Sequence, residues 1–73
     1  MKVNGDLLRG KVYEKGYNLK SFSEEIEISA VTLSNVLQNH FKPSYTVMAK
    51  MIQCLDLQPA EVVDIFFWKG ESK

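Results

Sequence analysis

The chain has 73 residues, 45% hydrophobic and 25% charged, with nine basic side chains balanced by nine acidic ones. That length suits one small domain, burying about 60% of its unfolded surface, and the mix of apolar and charged residues argues against disorder. A lone Cys54 excludes an internal disulfide, and with no secretory signal or long apolar run the chain is expected to be cytoplasmic, without a membrane segment.

Along the chain, residues 4–15 predict a first helix, with Asn4 as N-cap, Asp6 in the positively polarised first turn, Leu8 and Val12 four apart, and Gly16 as the stop. Asn18 can cap a second helix over 19–26, where Phe22 and Ile26 repeat the four-residue spacing. Ser29 caps a third, about 30–38, whose Leu33, Val36 and Leu37 mark one face, and Asn39 suits a left-handed C-cap. Pro43 and Ser44 separate this from a fourth helix over 44–56, with an inward stripe of Val47, Met48, Met51, Cys54 and Leu55. Pro59 fits the first turn of a fifth helix, 59–67, leaving a short tail over 68–73. No segment alternates like a strand, so the expected fold is all-α, with five helices in one domain.

Catalytic and metal-binding chemistry finds little to work with. His40 is the only histidine, Cys54 lies among apolar neighbours, and the sequence carries no Gly-rich phosphate loop, no Cys/His cluster and no evident carboxylate pair. No enzyme, cofactor, metal or small-molecule ligand is therefore expected.

The join between helices two and three is different. Only Glu27, Ile28 and Ser29 separate them, a spacing that fits a helix-turn-helix. With Leu33, Val36 and Leu37 inward, Val31, Asn35 and Gln38 must point outward, flanked by Ala30, Thr32 and Ser34. From Ile28 through Leu55 there is no Asp or Glu, while His40, Lys42 and Lys50 fall inside the span, so zero net charge conceals a locally positive half. Asn and Gln can bond adenine, and Val31 can meet a thymine methyl. Lys42, and Lys50 if near enough, would hold phosphates.

From Leu8 to about Phe66 the chain resembles the Cro and phage-repressor helix-turn-helix family of five-helix, lambda-repressor-like DNA-binding domains. The resemblance lies in Glu14-Lys15-Gly16, Phe22 and Ile26, Ile28-Ser29, Thr32-Leu33-Ser34, Pro43-Ser44, and the stretch from Leu55 to Leu57; Asp64-Ile65-Phe66-Phe67 is similar to short phage-associated Cro-like proteins. It implies a small transcriptional regulator whose third helix enters the major groove, with Ala30, Val31, Asn35 and Gln38 at the bases and Asn18, Lys20, Thr32, Ser34, His40 and Lys42 at the backbone. The chain departs from the family pattern at several points. Val12 and Leu37 stand where relatives often place a buried Arg–Glu pair, a joint change that strands no charge. Glu27 replaces a frequent turn Gly, at a strain cost if the backbone there is left-handed. Leu19 replaces a phosphate-binding Gln, and Ala30 and Val31 replace long polar side chains.

The expected partner is double-stranded DNA, bound by a homodimer with its two reading helices about 34 Å apart. VVDIFFWKG holds more bulky apolar residues than one face buries, so either Ile65, Phe67 or Trp68 covers a partner or Trp68 folds back onto the core. The competing function is a helix-turn-helix scaffold that binds protein, as an antirepressor or antitoxin-like adaptor, favoured by the zero net charge and the apolar start of helix three. The length leaves no room for a sensor domain, which points to control by abundance.

Overall fold

Every helix begins at a side chain or backbone group able to satisfy the free amides of its first turn. In the computed structural model, which describes residues 2–69, Asn4, Asn18, Ser29 and Ser44 accept from the amides of Leu7, Ser21, Thr32 and Val47. These caps open α1 (Gly5–Glu14), α2 (Leu19–Glu25), α3 (Ala30–Leu37) and α4 (Tyr45–Leu55). The last helix, α5 (Pro59–Phe66), starts with Pro59, and the Glu61 carboxylate reaches back to the Gln58 amide at 2.8 Å. The chain is all-α. No helix among the described residues is long and apolar enough to cross a membrane.

The first four helices also end alike. A left-handed residue follows each one: Gly16 (φ 91°), Glu27 (φ 66°), Asn39 (φ 62°) and Asp56 (φ 52°). The next amide then bonds the carbonyl five residues back: Tyr17 to Val12, Ile28 to Ser23, His40 to Asn35 and Leu57 to Ile52, at 2.8–3.1 Å. This closure satisfies otherwise orphaned carbonyls and reverses the chain sharply. Asn and Asp tolerate the left-handed region through local hydrogen bonding; Glu27 does not share that advantage and carries the strain expected of it.

The core gathers Leu8 and Val12 of α1, Phe22 of α2, Ile26, the Leu33–Val36–Leu37 stripe of α3, Met51 and Leu55 of α4, Leu57, and Ile65 and Phe66 of α5. Val12 and Leu37 are both buried in this apolar core. Val47, Met48 and Cys54 are half-buried against it, as the α4 stripe predicts. Cys54 Sγ and the Tyr17 hydroxyl are hydrogen-bonded at 3.2 Å, joining α4 to the turn after α1; this pairing, with burial, pushes the Tyr17 pKa up to about 12. Cys54 is thus a packed, hydrogen-bonded thiol.

One expectation is corrected. Ile65 is fully buried and offers no surface to a partner. At 100° per residue, Val62, Ile65 and Phe66 share the inward face of α5, which turns Val63 and Phe67 outward, each more than half exposed. Trp68 is half-buried, and its backbone amide donates to the Lys2 carbonyl at 3.2 Å. Residues 70–73, the end of the expected tail, lie outside the described residues.

Two features tie α1 to the rest. Lys11 bridges Glu14 and, in a short hydrogen bond, Glu61 of α5. At the other end Gly5 abuts the C-terminus of α3 so closely that an added Cβ would lie 2.2 Å from the Leu37 carbonyl oxygen. The close approach sets the positive end of one helix dipole against the negative end of the other. Gly10, on the exposed side of the same helix, has nothing within 4 Å.

The two glycines should respond oppositely to alanine. Gly5→Ala is expected to destabilise by roughly 3 kcal/mol through backbone overpacking, and Gly10→Ala to stabilise by about 0.5–1 kcal/mol through helix propensity; urea unfolding midpoints measure both. The Glu61 pair gives a pH signature. The Gln58 amide first, then Lys11, hold the Glu61 carboxyl below the usual glutamate range. The stability it contributes is therefore fully present above the unfolded value, about 4.3, and lost as pH falls through the lower folded value. Glu61→Gln should flatten the acid limb of the urea midpoint against pH, leaving the slope above pH 6 unchanged.

Candidate nucleic-acid interface

The rotation of α3 decides what its outer face presents. Leu33 and Val36 are each 1% exposed and Leu37 6%, whereas Val31 is 72% exposed and Gln38 and Ala30 are also open to solvent. Asn35 sits at the edge of this face, half-buried. Of the residues read as outward from spacing alone, Val31 and Gln38 are exposed and Asn35 is half-buried.

The polar side chains on this face are linked in pairs. Ser29 Oγ accepts from the Thr32 amide at 3.0 Å and donates to Thr32 Oγ1 at 2.9 Å. Gln38 donates to Ser34 Oγ at 3.1 Å. With its proton on Nδ1, His40 donates to Asn35 Oδ1 at 3.2 Å, which orients the carboxamide and leaves the Asn35 amide nitrogen without a side-chain partner among the described residues. A base edge approaching α3 would meet pre-oriented groups.

Around this face the charges fall unevenly. His40, Phe41 and Lys42 form an exposed corner just past α3, and Lys42 has no ion pair among the described residues. Lys50 differs: its ammonium lies 2.6 Å from Glu27, in a hollow that Glu25 also lines, and the Glu27 carboxyl is held below its ordinary range chiefly by that hydrogen bond. Lys50 is thus committed to the turn instead of the outer face. Lys20 pairs with Glu24 at 3.2 Å, an exposed i,i+4 contact that is easily exchanged. Asn18 gives its Oδ1 to the α2 cap and keeps only its amide nitrogen for another partner.

Sequence reading missed the segment before α1. Val3 is 2% exposed, and its backbone is gripped by the Asn39 carboxamide: Val3 N–H donates to Oδ1 and Nδ2 donates to the Val3 carbonyl, both at 2.8 Å. The partners are 36 residues apart, so no local pattern signals them. The left-handed backbone expected at Asn39 was legible, but its side-chain role was not.

In sequence comparisons, no protein-family model and no curated protein matches the chain.

Ser29 separates structure from electrostatics. Ser29→Ala removes the α3 cap and should cost about 1 kcal/mol in chemical unfolding. Ser29→Asp keeps an acceptor at the positive end of the helix and should retain wild-type stability. If the outer face meets a polyanion, the added charge weakens that binding, measured as fluorescence anisotropy of labelled duplex DNA.

Proposed function

We propose that this protein is a sequence-selective duplex-DNA-binding regulator of the helix-turn-helix type, with α3 lying in the major groove. The observation that carries the reading is the orientation of α3: Val31 and Gln38 face solvent, with Asn35 at their edge, in a stretch of sequence, Ile28 to Leu55, that holds no Asp or Glu. Asn35 bonds an adenine edge through its free amide nitrogen, Val31 meets a thymine methyl, and Gln38 with Ala30 completes the base-facing row. Lys42, His40 and Lys20, with Thr32, Ser34 and the Asn18 amide, sit against phosphates and fix register. The resemblance to Cro and phage-repressor domains supports reading it as a small phage or prophage transcriptional regulator. It acts as a two-fold dimer, for which exposed Val63 and Phe67 supply the apolar surface.

A second reading is favoured by a specific observation. Val31, Phe41 and Tyr45 are 72%, 47% and 83% exposed within the same acid-free stretch, an apolar content suited to a protein partner. On that reading the scaffold is an adaptor and α3 a docking helix.

Salt separates the two. Phosphate contacts make the affinity for random duplex DNA fall steeply with ionic strength, so the DNA reading requires measurable binding at low salt with a clear negative slope; no binding there favours the protein partner. On a site selected from a random DNA pool, Asn35→Ala should cost roughly 1–3 kcal/mol while changing little on random sequence. Lys42→Ala should weaken both about equally. Lys50→Ala, already paired with Glu27, should change neither appreciably. An unaltered sequence preference in Asn35→Ala would mean that α3 does not read bases.

A further inference from the structure

A hollow of about 540 Å³ opens beside the C-terminal end of α3, lined by Lys2, Val3, Asn39, His40, Phe41 and Lys42. Two lysines and the histidine are among its lining residues, no Asp or Glu is, and neither lysine has an ion pair among the described residues. Lys2 lies outside the helices, before α1. Here its backbone is fastened on both sides, by Asn39 to Val3 and by the Trp68 amide to its own carbonyl, while the Asn4 amide bonds the Ile65 carbonyl at 2.7 Å. Residues 2–4 form a strap that carries a cation from one end of the sequence to the flank of α3.

We infer that this hollow seats a phosphodiester of the DNA backbone flanking the bases read by α3, held between Lys2 and Lys42, with Asn39 as the positioning residue that brings Lys2 there. The inference rests on the DNA reading and extends it to two residues outside the helix-turn-helix. Charge complementarity selects the occupant: the polar rim is cationic, and the exposed Phe41 ring offers an apolar wall against a deoxyribose. The ammonium of Lys2 supplies charge; the Asn39 carboxamide, spent on both polar groups of Val3, supplies only geometry.

The test is the salt dependence of binding to random duplex DNA by the intact protein, compared among wild type, Lys2→Ala, Lys42→Ala, Asn39→Gly, the Lys2→Ala/Asn39→Gly double variant, and Lys15→Ala as a control for lost charge elsewhere. Asn39→Gly keeps a residue at ease with φ 62° while deleting the carboxamide, and its folding is checked by thermal melting. Lys2→Ala should lower the slope of log affinity against log salt by about 1. Asn39→Gly should lower it similarly, and the double variant should fall no further, since Asn39 acts through Lys2. Lys15→Ala should leave the slope at its wild-type value. If Lys2→Ala matches wild type while Lys42→Ala lowers the slope, the strap is no part of the interface and this inference fails alone. If Asn39→Gly and Lys2→Ala effects add, Asn39 does not position Lys2. Absence of wild-type binding at low salt overturns both this and the DNA reading.

Discussion

The geometry of this protein depends on one constraint: the rotation of an eight-residue helix about its own axis. α3 is too short to hold itself in water, so its direction comes from burial of Leu33, Val36 and Leu37 against α1 and α2. Its ends admit no slippage. Ser29 closes the first turn, the Asn39 reversal closes the last, and the bare backbone of Gly5 lies against the Leu37 carbonyl. A turn of 100° in either direction would bring a buried leucine to the surface and bury the Gln38 or Thr32 polar groups, a change costing several kcal/mol. What α3 shows to solvent is therefore decided by what it hides.

Most of the fold was legible because its punctuation is local. Asn4, Asn18, Ser29, Ser44 and Pro59 are start signals whose mechanism needs only three residues of context, and they place every helix start to within a residue. Gly16 and Asn39 announce their left-handed turns by residue type. Asp56 makes the same turn without announcing it, because Asp is common in exposed positions of every kind. Ile65 was misplaced for a different reason: in Val62, Val63, Ile65, Phe66 and Phe67 the apolar pattern runs nearly all round the helix, so only the packed neighbours reveal which side is inside.

The candidate interface divides the same way. Spacing sufficed to orient Val31, Asn35 and Gln38, because α3 has a clear apolar stripe. Spacing was silent about which cations remain free. Lys50 lies in the acid-free stretch of sequence, yet space brings Glu27 to it across 23 residues, while Lys2 arrives beside Lys42 from the far end of the chain. Linear charge maps locate a positive region; only the tertiary pairing decides which of its charges a polyanion can reach.

The strap over residues 2–4 also makes the molecule sensitive at a place usually treated as neutral. Its hydrogen bonds run to the end of α3 on one side and to the end of α5 on the other, so the two surfaces share a single fastening. Loosening residues 2–4 would therefore disturb the surroundings of His40 and of Trp68 together.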